Sequence, residues 1–122
     1  MTIQFSWGTG HMTVDAVALI KNMSLQKYRQ WSKLFVQYGK PEDHTVFLQL
    51  LDEHIAYSEK EYHSRLAEHK AWIYLCDHPE ETTYTQASCR NMRRLSKGDL
   101  NDATTRLNRC RKMRDMLKGL LS

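Results

Sequence analysis

The sequence predicts an all-α fold, a helical bundle of about five helices built around one long central helix at about residues 42–78. Three observations point there. Residues 41–78 contain no glycine and no internal proline, and Pro79 follows. Apolar residues recur along that stretch at helical spacing: Phe47, Leu48, Leu51, Ile55, Leu66, Trp72, Ile73 and Leu75. Start and stop signals bracket further amphipathic segments on both sides.

The elements follow in chain order. Residues 1–12 read as an irregular N-terminal segment. Ile3, Phe5 and Trp7 alternate with polar neighbours at the period of a strand, but a lone strand has no sheet to join. Gly8 and Gly10 then break the pattern, and Thr13 is placed to cap a short helix over 14–22. Ser24 is the best N-cap in the chain. The helix it starts, residues 25–38, carries Leu25, Tyr28, Trp31, Leu34, Phe35 and Tyr38 at three- and four-residue steps. Gly39 is in place for a left-handed C′ residue, and Pro41 follows. The long helix opens with Glu42 and Asp43 at the positive end of its dipole. A fourth helix is expected over about 82–97, ended by Gly98. A fifth, capped by Asp99 or Asn101, runs to about Leu121 with Leu100, Ala103, Leu107, Cys110, Met113, Met116, Leu117 and Leu120. Residues 82–121 then form a basic helical hairpin, and 1–122 a single all-α domain.

The long helix carries its own prediction. At roughly 1.5 Å per residue it would measure about 57 Å, against about 30 Å for a small domain. Part of it therefore needs a partner. Written as heptads, the a positions are Leu48, Ile55, Tyr62, His69 and Cys76, and the d positions are Leu51, Ser58, Arg65 and Trp72. The first turns suit a zipper and the middle does not. The expectation is a shorter antiparallel homodimer contact through Leu48, Leu51, Ile55, Tyr62, Leu66, Trp72 and Ile73. If exposed, Tyr57, Tyr62 and Trp72 would be anchors for a partner protein.

Composition is ordinary for a globular chain, 41% hydrophobic and 26% charged. No stretch approaches 18 consecutive apolar residues, so no membrane span is expected. The N-terminus has neither the basic region nor the long apolar core of a signal peptide. Three cysteines at wide spacings argue for a reducing compartment, and a cytoplasmic location is the expectation. Charge is placed unevenly: residues 90–122 carry +7 and residues 1–89 carry −3.

The words N-M-S-L-Q-K-Y-R-Q-W at residues 22–31, a short helix to Gly39, and D-H-T-V-F-L-Q-L-L-D-E-H-I-A-Y-S-E-K-E-Y-H-S-R-L-A-E-H at 43–69 stand in sequence. This stretch, residues 22–72, resembles the dimerisation-helix half of MerR-family transcription regulators. Members show a G-M-S-L-like helix start, a glycine-containing turn and a long helix that pairs antiparallel with its two-fold mate. The resemblance implies a dimerisation and sensor half. The departures are specific. Residues 1–21 are too short for the family's winged helix-turn-helix, Asn22 stands where glycine is usual, and no cysteine opens the long helix.

The basic C-terminal third is the clearest functional lead. Arg90, Arg93, Arg94 and Lys97 make one strip, and Arg106, Arg109, Arg111, Lys112, Arg114 and Lys118 a second. Arginine-rich helical faces neutralise phosphates. The competing reading is charge pairing with the acidic segment 42–81, or with an acidic partner protein. Cys76, His78 and Cys89 are weak zinc candidates without a close second pair, so no metal or cofactor is expected. His54, His63 and His69 read as solvated helix residues. No glycine-rich phosphate loop, nucleophile elbow or H-E-x-x-H is present, and no enzymatic activity is expected. The chain reads as a non-enzymatic regulatory protein, dimerising through its long helix and contacting nucleic acid or a transcription complex with its basic face. The alternative is a small helical adaptor or inhibitor that binds another protein through the same surfaces. A ligand-sensing bundle is a third, weaker reading.

Overall fold

The computed structural model describes residues 1–122. The fold is mostly α but not purely so: a two-stranded antiparallel sheet precedes four helices. The elements are β1 (Thr2–Trp7), β2 (Gly10–Asp15), α1 (Ala16–Asn22), α2 (Leu25–Tyr38), α3 (Pro41–Asp77) and α4 (Gln86–Leu121). One 3₁₀ turn, Pro79–Glu81, lies between the last two.

The N-terminal strand does find a partner. β1 and β2 pair with Ile3 opposite Val14, Phe5 opposite Met12 and Trp7 opposite Gly10. Gly8 takes a φ of 48° and Thr9 stays on the negative side, the pattern of a type II′ turn, which suits a two-residue hairpin loop. The Trp7 ring lies over Gly10, where an added Cβ would sit 2.7 Å from it. Strand pairing consumes Thr13, so Asp15 caps α1 instead, accepting from the Ala18 N–H at 2.9 Å.

Ser24 caps α2 as expected, accepting from the Lys27 N–H at 3.2 Å. Gly39 ends it, but not in the left-handed conformation: its φ is −75° and ψ 164°. Glycine is needed there for room. An added Cβ would lie 2.4 Å from the Phe35 carbonyl oxygen. That oxygen accepts from the Gly39 N–H and from His44 Nε2 at 2.7 Å. α3 starts one residue after Lys40, whose carbonyl accepts from Asp43 and His44.

The expected break at Gly98 does not occur, and the fourth and fifth helices are one continuous α4. Glycine inside a helix costs about 1 kcal/mol relative to alanine. Cys89, Ser96, Leu100, Ala103, Leu107, Cys110, Met113 and Leu117 are all buried along one side of α4. A continuous helix keeps this one face buried on both sides of Gly98, a gain that outweighs the glycine's cost.

The chain divides into two compact units. The first comprises Met1–Ile55 and Arg109–Ser122. Its core gathers Ile3 and Phe5 from β1, Leu19 and Ile20 from α1, Tyr28, Trp31 and Phe35 from α2, Phe47 and Leu51 from α3, and Cys110, Met113 and Leu117 from α4. Trp31 stacks on Phe35 with ring centres 4.7 Å apart, and Phe47 meets Phe35 edge-on at 5.7 Å. Tyr28 donates its hydroxyl hydrogen to the Met113 carbonyl at 2.8 Å, fully buried.

The second unit, Ala56–Asn108, is an antiparallel helical hairpin. As the α3 partner advances from Glu61 through Arg65 and His69 to Cys76, the α4 partner retreats from Arg106 through Asp99 and Ser96 to Cys89. The heptad written on α3 is thus the seam of this hairpin, and its polar middle is served by polar α4 residues. Within this unit α4 lies along α3 from Glu61 to Cys76. Residues 1–22 hold a β-hairpin and one short helix.

Candidate nucleic-acid interface

The second unit presents one concentration of positive charge. Arg90, Arg93, Arg94 and Lys97 stand at i, i+3, i+4 and i+7 on α4, which puts all four on one face of the helix. With His69 of α3 they line an open recess of about 490 Å³, and no carboxylate is among the residues lining it. All four cations are exposed. α4 itself opens without an acid in its first turn. Thr85 caps it, its hydroxyl oxygen accepting from the Ser88 N–H at 3.1 Å.

His69 forms the floor. It is buried, not solvated as its surface-like sequence neighbourhood suggests, because it occupies the seam opposite Ser96. Ser96 gives its one hydroxyl hydrogen to the Arg93 carbonyl at 3.0 Å. Its oxygen therefore accepts from His69 Nδ1–H at 2.9 Å. In the neutral ring that bond leaves Nε2 as the acceptor.

Of the remaining six predicted cations, four are engaged within the chain. Arg106 pairs with Glu61, and Arg114 with Asp52. Each such pair, being largely exposed, contributes no more than about 1 kcal/mol. Arg109 is half-buried and closes the end of α1, donating to the carbonyls of Ile20 at 3.0 Å and Leu19 at 3.4 Å. Arg111 is exposed and already engaged within the chain. Lys112 and Lys118 are exposed on the first unit. Charge pairing with the acidic segment accordingly accounts for Arg106 and Arg114 but not for the strip at 90–97.

The residues expected at a dimer interface are divided. Leu51 is fully buried in the first unit's core, with Leu48 and Ile55 packed against it. Tyr62, Leu66, Trp72 and Ile73 are half-buried in the second unit. Cys76 and Cys89 meet across the hairpin, and burial first, then the neighbouring Cys76 thiol, pushes the Cys89 thiol up. His78 takes no part, donating Nδ1–H to the Tyr74 carbonyl at 2.9 Å and stacking on the Tyr74 ring.

Sequence reasoning missed His69, Ser96 and the ring pair formed by Trp72 and Tyr84. The rings meet edge to face at 5.6 Å, and Tyr84 is 58% exposed. A polar residue at an a position of the α3 heptad was the available signal for His69. No family model, curated protein or solved structure matches the chain.

Proposed function

We propose that this chain is a non-enzymatic nucleic-acid-binding protein whose second unit grips the phosphate backbone with Arg90, Arg93, Arg94 and Lys97. One observation carries the reading: four cations share a helix face with no carboxylate among the recess-lining residues. Like charges at i, i+3 and i+4 on a helix each cost about 0.2–0.5 kcal/mol, so the strip lowers the stability of its own helix by roughly 1–2 kcal/mol. Elsewhere the chain pairs comparable arginines with acids, as at Arg106 and Arg114. A strip left unneutralised against its own stability is the pattern of a binding surface. Guanidinium forks match phosphate geometry.

The adaptor reading keeps one specific support, Tyr57, which is 70% exposed on the same unit. Large exposed aromatics serve as anchors in protein interfaces. A homodimer would have to use side chains such as this one and not Leu51, which the core already holds.

The test is fluorescence polarisation with labelled oligonucleotides, comparing the wild type with Arg93→Glu/Arg94→Glu. Loss of binding in a variant that keeps its helical circular dichroism supports the proposal. Undiminished binding overturns it.

A further inference from the structure

Two of the cysteines meet where the hairpin turns. Cys76 lies in the last turn of α3 and Cys89 in the first turn of α4. Register brings them together: His69 bonds Ser96 across the seam, and Cys76 and Cys89 each stand seven residues, about two turns, beyond that pair toward the connection. Their side chains are in hydrogen-bond contact. The Gln86 amide ties the same two helix ends, donating to the Cys76 carbonyl at 3.4 Å. Cys89 is fully buried, whereas Cys76 is half-buried and within reach of small solutes. The third cysteine, Cys110, belongs to the core of the first unit. As a metal site the pair is short of ligands. Zinc takes four, and no group of three His, Cys, Asp or Glu side chains able to hold an ion forms here. Two touching thiols suffice for a two-electron oxidation.

We propose that Cys76 and Cys89 are a modification site, a dithiol that a hydroperoxide converts to a disulfide and a thiol reductant restores. The half-buried Cys76 reacts first. Its sulfur attacks one peroxide oxygen: an S–O bond forms, the O–O bond breaks, and the other oxygen leaves as water, taking up the proton the thiol gives away. Cys76 is then a sulfenic acid. The Cys89 sulfur attacks the Cys76 sulfur in turn: the S–S bond forms, the S–O bond breaks, and hydroxide leaves as a second water with the Cys89 proton. The two thiols have lost two electrons and the peroxide has gained them. Burial keeps Cys89 out of the first step, and contact with Cys76 fits it for the second. A sulfenic acid beside a resolving thiol is captured before it oxidises further. The disulfide closes residues 76–89 into a ring, which restricts the unfolded chain more than the folded one. This site stands apart from the nucleic-acid reading, and neither depends on the other.

The test treats the full chain with a modest excess of hydrogen peroxide and maps its disulfides by mass spectrometry after non-reducing digestion. The expected product links the peptides that hold Cys76 and Cys89, leaves the Cys110 thiol unreacted, and reverts with dithiothreitol. Its Tm exceeds that of the reduced chain by roughly 10 °C, and neither the link nor the rise appears in Cys76→Ser. The mapping needs only the wild type, so it decides the matter even where the variant folds poorly. Oxidation that halts at a Cys76 sulfinic acid, or that joins two chains through Cys76, overturns the proposal. A linked chain that melts no higher than the reduced one also overturns it.

Discussion

The salt dependence of binding counts the phosphates that the protein neutralises, and the structure supplies the count. Each phosphate contacted by a cation lowers the logarithm of the single-strand binding constant by about 0.7 per decade of salt. Four cations, Arg90, Arg93, Arg94 and Lys97, line the recess. They predict a slope near −2.8, so raising salt from about 50 to about 200 mM weakens binding by roughly fifty-fold. The ten basic residues of 90–122, acting together, would give a slope near −7 and a loss of about ten-thousand-fold over the same range. Arg93→Ala/Arg94→Ala removes half of the strip. Its slope should fall to about −1.4, with a sevenfold loss over that range. Polarisation titrations of one oligonucleotide at five salt concentrations measure these slopes directly. The double variant should also melt no lower than the wild type, since it relieves repulsion within α4. A wild-type slope near −7, or a double variant with an unchanged slope, would refute the assignment of binding to these four side chains.

Three further outcomes follow from the packing. Tyr28→Phe removes a buried hydrogen bond to the Met113 carbonyl and costs about 1 kcal/mol, lowering Tm by roughly 4 °C in a thermal melt followed at 222 nm. Burial holds the Tyr28 phenol far above its ordinary value of 10.0, so the folded chain keeps a proton that the unfolded chain sheds. Stability is full below that pH and falls above it, by up to about 1.4 kcal/mol per pH unit, and urea titrations of Tyr28→Phe should show a shallower alkaline fall. At Gly98 the helix is open and an added Cβ meets nothing within 4 Å, so Gly98→Ala should raise stability by about 1 kcal/mol, whereas Gly39→Ala, crowding the Phe35 carbonyl, should lower it.

Much of the helical framework was legible because its signals are local. Ser24 sits one residue before α2, and the proline and acids of 41–43 open α3, so the bounds of both helices follow from neighbours in sequence. The β-hairpin was half visible. Ile3, Phe5 and Trp7 alternate plainly, but β2 offers only Met12 and Val14, both half-buried, around a Gly-Thr turn without the usual Asn-Gly or Asp-Gly pair. Gly98 misled because its local cost is real and is outweighed by burial along a face of α4 that only the paired helix reveals. The site behaved in the same way. The cations were visible in composition, but which of them are neutralised depends on partners 45 and 62 residues away, at Glu61 and Asp52. The reach of Arg109 to the end of α1 spans 89 residues. Local propensity carries no information at that separation.

The first unit takes its core from both the early and the late parts of the chain, and this sets an order of events during synthesis. Ile3, Trp31, Phe35 and Phe47 are made long before Met113 and Leu117, which complete the same cluster. At about 5–20 residues per second, the interval between Phe47 and Leu117 is roughly 4–14 s. Throughout it, a hairpin and an aromatic-rich helix emerge without the helix that seals them. The last turns of α4 must then be brought back before that surface closes, a non-local step of the kind that slows folding and exposes nascent chains to aggregation or to holding chaperones.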